Sequence, residues 1–386
     1  MNKEPQFIIF ICLFALIFVI SYLYRNSSYI VQARISLGIL IVLLLIYSFR
    51  TLGLDWVNYT LDYHTFSVSD FFSGFSLKKL FAAHFEPFYL LSMSLSKILG
   101  LSFAQFCLLL YMIPFTIFGA NILRAEKPLA HLFSFSVLMM YHFDLTRAIV
   151  AIAFIYAAYH TKNKIGKAVL YLFAIGFHYS SVLALLIEIV VAFRKRKIYK
   201  PLIAAGLLAL IPWRFLNLGE HKKSSFDLLE KVQYYLFRSS SLDEPVLLNI
   251  SFLLINLFPI LCCIWLIFKF DSFVSVSLPD PGDAGQGGAE NDPRVSERLE
   301  ARQKDKHFLA LCTLISIVLL AVYNTIQGSF RIVFLASFIV YSALSNILSA
   351  NWGAKTLRFK GVSAVILFAL CDLWMTSYYL LAFYYY

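Results

Sequence analysis

Apolar residues run almost without interruption through seven stretches of this chain: 7–24, 33–49, 103–123, 246–268, 308–326, 330–350 and 362–383. A helix rises 1.5 Å per residue, so about 20 apolar residues cross the roughly 30 Å hydrocarbon core of a bilayer. Shorter or interrupted apolar stretches lie at 85–99, 129–143, 147–160, 168–193 and 201–216. The pattern predicts an all-α, polytopic integral membrane protein: one membrane domain, 1–386, with about 11–13 transmembrane or re-entrant helices. The first run follows Lys3 and has no small-x-small cleavage site, which predicts a retained anchor helix rather than a signal peptide.

Three polar stretches punctuate the pattern. Residues 50–84 mix acidic, basic and aromatic side chains and are expected as an outer-face loop. Residues 217–245 are expected as a second outer-face loop. In it Leu228, Leu229, Val232 and Leu236 fall on one side of a short interfacial helix. Residues 271–306 are expected as a cytoplasmic loop, first a Gly/Pro/Asp-rich disordered linker and then a charged helix entering the next span. The stretch 168–193 is too short for two full spans. It predicts either a hairpin of half-helices with His178 near its tip or a single crossing. Pro114, Pro212 and Pro259 predict kinks.

Charge orients this arrangement. The formal net charge is +11, gathered in short loops around Arg124 and Lys127, Lys162 to Lys167, Arg194 to Lys200, and Lys355 to Lys360. That is the positive-inside pattern of cytoplasmic loops facing membrane lipids, not a nucleic-acid footprint. All six cysteines lie in apolar runs without metal-ligand spacing, so they read as small buried hydrophobes.

Ionisable residues at membrane depth are the candidates for chemistry, because each costs roughly 2.5–3.5 kcal/mol at a helix centre unless paired or hydrated. Arg50 follows the second apolar run, and on spacing alone it reads as an interfacial anchor. With Asp55 and Gly53 it also has the makings of a fixed polar site. Glu86-Pro87 opens the next helix, where a carboxylate meets the helix dipole and proline suits the first turn. Arg147 stands at another helix start, opposing the dipole. Either Asp144 compensates it locally or a bound anion does, and the anion is favoured. His178 interrupts an apolar run just before Ser180 and Ser181, either as a hydrogen-bonded core residue or as a functional group. Arg331 opens a late span, either as a snorkelling side chain or as a second cation beside a diphosphate. There is no Asp-x-Asp, GxSxG, P-loop or HExxH, so no metal site and no cofactor are expected.

Together these segments resemble the EpsG-like family of Wzy-type bacterial polysaccharide polymerases. The likeness runs in order through Arg50-x-x-Gly53-x-Asp55 with Tyr59, Glu86-Pro87-Phe88, Arg147 with Ala151, Phe177-His178-Tyr179-Ser180 and the late Arg331. It covers residues 45–190 well and the C-terminal half in hydropathy plus Arg331. Ala148 stands where relatives often carry Gln after the Arg, and the insert near 280–293 is a second departure.

The resemblance implies a GT-C-like glycosyltransferase architecture in the bacterial inner membrane. It also implies joining of undecaprenyl-diphosphate-linked glycan units, donor and acceptor, into O-antigen, capsule or exopolysaccharide at the outer face, with a chain-length regulator as partner. On that reading Arg147, Arg331 and Arg50 hold the diphosphate. His178 is the base, with Asp55 or Glu86 in reserve, and Trp56 and Tyr59 offer flat faces to sugar rings. A lipid-linked oligosaccharide flippase, an O-antigen ligase and a membrane acyltransferase are the competing classes.

Overall fold

A computed structural model describes residues 4–50, 56–69, 86–141, 146–201, 293–323 and 335–351, with 203–204, 261, 263–264 and 267. Among the described residues all regular structure is helical. The expected spans at 246–268 and 362–383, the loop 217–245 and the linker half of 271–306 lie wholly or mostly outside the described residues. The chain forms two compact units, Met1–Ser181 with Tyr341–Tyr386, and Val182–Val340.

The first unit contains α1 (Glu4–Leu23), α2 (Tyr29–Phe49), α3 (Trp56–Thr65), α4 (Pro87–Ile98), α5 (Phe103–Arg124), α6 (Pro128–Tyr141), α7 (Thr146–His160) and α8 (Lys164–Phe177). Helix α5 is the hub, touching α2, α3, α4, α6 and α7, while α8 packs on α7 and α4. Local chemistry marks the helix ends. Ser102 and Gln105 form a reciprocal capping box at the start of α5. The Asn163 side chain accepts from the Ile165 and Gly166 N–H groups at the start of α8. Helix α4 ends in a Schellman turn. Gly100 takes φ +67°, and the Leu101 N–H donates to the Ser96 carbonyl at 2.9 Å.

The polarity of these helices is inverted relative to a water-soluble bundle. On α2 the exposed face carries Leu37, Ile41, Val42 and Leu45, while Gln32, Ser36 and Ser48 are turned inward. Two of the inward hydroxyls bond within their own helix. Ser48 donates to the Leu44 carbonyl and Ser94 to the Leu90 carbonyl, one turn back in each case. Tyr29–Phe49 and Phe103–Arg124 are long and apolar enough to cross a membrane. Helices α4, α7 and α8, of 12, 15 and 14 residues, are shorter than a full crossing.

Helix α8 stops at Phe177, and α9 (Ser181–Ala192) begins after a three-residue break at His178–Ser180, so the apolar stretch 168–193 is not one continuous helix. The end of α8 is fixed by aromatic packing. Phe88 of α4 and Phe154 of α7 lie against Phe173, 5.0 and 5.3 Å between ring centroids, and both also meet Phe177. Gly176 makes this approach possible, because a Cβ there would sit 2.2 Å from Phe88 Cδ2.

The second unit holds α9 from Val182, α10 (Pro293–Tyr323) and the first residues of α11 (Ser337–Asn351). The charged run before 308 joins the apolar run after it in one 31-residue helix. Lys304 of α10 pairs with Glu188 of α9 at 2.6 Å, and Glu300 pairs with Lys195 at 2.8 Å and Arg194 at 3.2 Å. The His307 ring lies 3.2 Å from the Tyr199 hydroxyl.

Candidate functional site

Three helix ends in the first unit meet at one carboxylate. Glu86 is the N-cap of α4, with Pro87 at the first helical position, yet its side chain makes no capping hydrogen bond. It turns instead to Arg147, which forms an ion pair through Nη1 to Oε2, and to His178, whose Nδ1 lies 3.2 Å from Oε1. Glu86 is completely buried, while the Arg147 and His178 side chains keep 12% and 14% of their surface exposed. The carboxylate is therefore sealed on the protein side, and the two groups it holds reach toward the surface.

Each member's position follows from its local sequence. Arg147 is the second residue of α7, a place where the helix dipole disfavours a cation. The counter-charge called for there comes from Glu86, 61 residues away in sequence. His178 is the C-cap of α8 in extended backbone, φ −156° and ψ 112°, with its N–H donating to the Ala174 carbonyl at 2.9 Å. An ionised carboxylate only accepts, so its contact with the imidazole requires Nδ1 to carry the hydrogen. In the neutral ring Nε2 then carries the lone pair, and in the imidazolium both nitrogens donate.

Aromatic rings frame both arginines. The Arg147 Nε donates to the Tyr59 hydroxyl at 3.2 Å, and its guanidinium lies 5.3 Å from the Tyr59 ring and 5.5 Å from the Tyr89 ring. Arg50, the C-cap of α2, is buried rather than snorkelling. Its guanidinium faces the rings of Trp56, Tyr47 and Tyr111 at 5.1, 5.5 and 5.6 Å. Such contacts stabilise a desolvated cation by about 2 kcal/mol or more. The Tyr111 hydroxyl lies 3.0 Å from Thr146 Oγ1, so a chain of contacts runs from the Arg50 environment to the residue preceding Arg147.

Two expectations are corrected by these placements. Trp56 and Tyr59 do not offer open faces to sugar rings. They are buried with Tyr63 on one side of α3, against Phe103, Tyr89 and the arginines. Their spacing, 56, 59 and 63, is the signature of a helix face turned inward. Glu86 is not simply a carboxylate at a helix dipole, because its charge is used by two distant side chains. Asp55, Asp144 and Arg331 lie outside the described residues.

Sequence reasoning passed over Tyr89, Tyr111 and Thr146. The signal for Tyr89 was available, since three residues after Glu86 places it on the same side of α4. Nothing local marked Tyr111. Among the described residues no group of three His, Cys, Asp or Glu side chains is placed to hold a metal ion.

The arrangement combines a cation, a buried anion and an imidazole held to that anion through Nδ1. That suits stabilisation of developing negative charge beside a proton acceptor. No curated protein and no solved structure matches the chain. Residues 34–386, which include every site residue named above, match the EpsG family, a family associated with polysaccharide polymerases. The chain belongs to the EpsG family.

Proposed function

We propose that this protein is a multi-pass polymerase of the bacterial inner membrane, GT-C-like in architecture. It joins oligosaccharide repeat units carried on undecaprenyl diphosphate at the outer face of that membrane. Family membership supports the class of activity. The outward-facing leucines and isoleucines of α2 support the membrane setting. The observation that carries the mechanism is the shared carboxylate, with Arg147 on one oxygen of Glu86 and His178 Nδ1 on the other.

An acceptor sugar hydroxyl attacks the anomeric carbon of the donor chain. The bond from that carbon to the diphosphate oxygen breaks, and undecaprenyl diphosphate leaves with the electron pair. The hydroxyl proton passes to His178 Nε2. Negative charge grows on the departing diphosphate, where the Arg147 guanidinium opposes it, and Arg331 is the second cation expected for that role. Arg50 supports this cationic surface from behind its aromatic wall. Glu86 is the residue that orients His178 and balances the imidazolium once the proton arrives, as carboxylates do in acid–base dyads. Asp55 is the reserve base. Guanidinium and imidazole supply the charge stabilisation and the proton transfer, so the scheme calls for no metal or cofactor. A chain-length regulator is the expected protein partner.

The test is a surface-polysaccharide gel from a deletion strain complemented with wild type, Arg147→Ala or His178→Ala at matched membrane protein levels. Wild type is expected to restore long chains, and both variants to leave single repeat units. Normal chain length in both variants would remove the site from the mechanism, and glycan that never reaches the outer face would favour a flippase.

A further inference from the structure

We infer that Tyr111 is a positioning residue for Arg147, acting through its hydroxyl contact with Thr146. The inference rests on the polymerase reading of the site. Tyr111 is fully buried in α5, with Tyr47 at 5.9 Å between ring centroids and the Arg50 guanidinium 5.6 Å from its ring. A ring held on these sides leaves its hydroxyl one direction to point. There it meets Thr146 Oγ1 at 3.0 Å, a contact between two buried groups.

Packing alone does not call for that hydroxyl. A phenyl ring fills nearly the same space, and a buried hydroxyl costs free energy unless it finds a partner. The partner sits where it matters. Thr146 is the first residue of α7 and Arg147 is the second. The first N–H groups of a helix have no partners within the helix, so this turn is the part least fixed by the helix itself. Tying Thr146 to the hub helix α5 fixes the turn from which the Arg147 side chain departs toward Glu86. Guanidinium placement good to a fraction of an ångström governs how well a leaving diphosphate is stabilised.

The experiment uses the full-length protein in lipid nanodiscs and, as probe, lipid-linked repeat units extracted from the deletion strain. Polymerisation rate is measured at saturating lipid for Tyr111→Phe, Thr146→Val, Thr146→Ser and Arg147→Lys. Tyr111→Phe and Thr146→Val are each expected to slow the reaction about tenfold, the scale of one well-placed hydrogen bond. The double variant should be no slower than either single one. Thr146→Ser, which keeps the hydroxyl, should stay within about twofold of wild type.

The same Tyr111→Phe change in the Arg147→Lys background is expected to add no further slowing. An unchanged rate for Tyr111→Phe, or an undiminished extra slowing in the Arg147→Lys background, overturns the inference while leaving the polymerase reading intact. Wild-type speed for Arg147→Lys alone instead overturns the inference by removing the Arg147 guanidinium from the rate, while failure of the wild-type protein itself to lengthen the glycan takes the polymerase reading with it. If Tyr111→Phe does not reach the membrane, the Thr146→Val and Thr146→Ser pair makes the same comparison.

Discussion

Glu86 in the first unit and Glu300 in the second each bind two cationic or protonatable partners, yet under opposite conditions. The Glu86 side chain has no exposed surface and is shared by Arg147 and His178. The Glu300 side chain is 52% exposed and is shared by Arg194 and Lys195. Water competes for every hydrogen bond to Glu300 and screens its charge, so the pairs there contribute little. The Glu86 side chain is fully buried, and removing one partner there leaves a poorly compensated charge behind. The buried set is thus fixed in geometry at high energetic risk, and the exposed set is adjustable at low risk. Chemistry that must stabilise a transition state belongs with the first kind.

The largest expected effect is at the buried carboxylate. Glu86→Ala strands Arg147 and should lower unfolding free energy by about 3–5 kcal/mol, read as a fall in melting temperature in detergent. Replacing both members, Glu86→Leu with Arg147→Met, should recover much of that stability while making no polymer. Recovery of activity as well would show that the pair is only structural. Next is Gly176→Ala, whose new methyl collides with Phe88. It should cost about 1–3 kcal/mol and reduce polymer length by moving His178 away from Glu86. Phe88→Leu in the same chain should relieve both.

Glu188→Gln tests an intermediate case, since its side chain is 9% exposed and that of Lys304 is 22% exposed. A loss of about 1–2 kcal/mol is expected in the same unfolding measurement. A loss as large as that of Glu86→Ala would erase the contrast drawn from burial. The smallest effect is expected at Glu300. Its carboxyl is held below its ordinary value of 4.5 by the hydrogen bond and charge of Lys195, against an opposing effect of desolvation, with Arg194 adding charge and a further hydrogen bond. A depressed carboxyl stabilises above its unfolded value and loses that contribution as pH falls through its folded one. A spin label introduced by Gln303→Cys should therefore gain mobility below about pH 4.5 and in high salt. Glu300→Gln should remove the dependence on acid.

Much of the helical arrangement was written locally. Ser102 with Gln105, Pro87, and Gly100 after Lys97 each mark a helix boundary by chemistry that acts within a few residues. The identities of Arg147 and His178 were legible because charge and imidazole are rare in apolar runs. Their common partner was not. Glu86 lies 61 residues from Arg147 and 92 from His178, and a local dipole already accounted for a carboxylate beside Pro87. Only the packing of α8 on both α4 and α7 brings these three helix ends together. Trp56 and Tyr59 were misjudged for a related reason. A polar stretch suggested an outward loop, whereas the three-and-four spacing of 56, 59 and 63 determined which way the rings face.

The contact between Gly176 and the Phe88 ring has an evolutionary consequence. With no room for even one carbon at 176, this position can enlarge only in a lineage where 88 has already become slimmer. The two sites are expected to drift as a coupled pair across relatives, each substitution conditional on the history of the other. The proposed site residues at 86 and 178 flank them and would stay put while the pair between them changes.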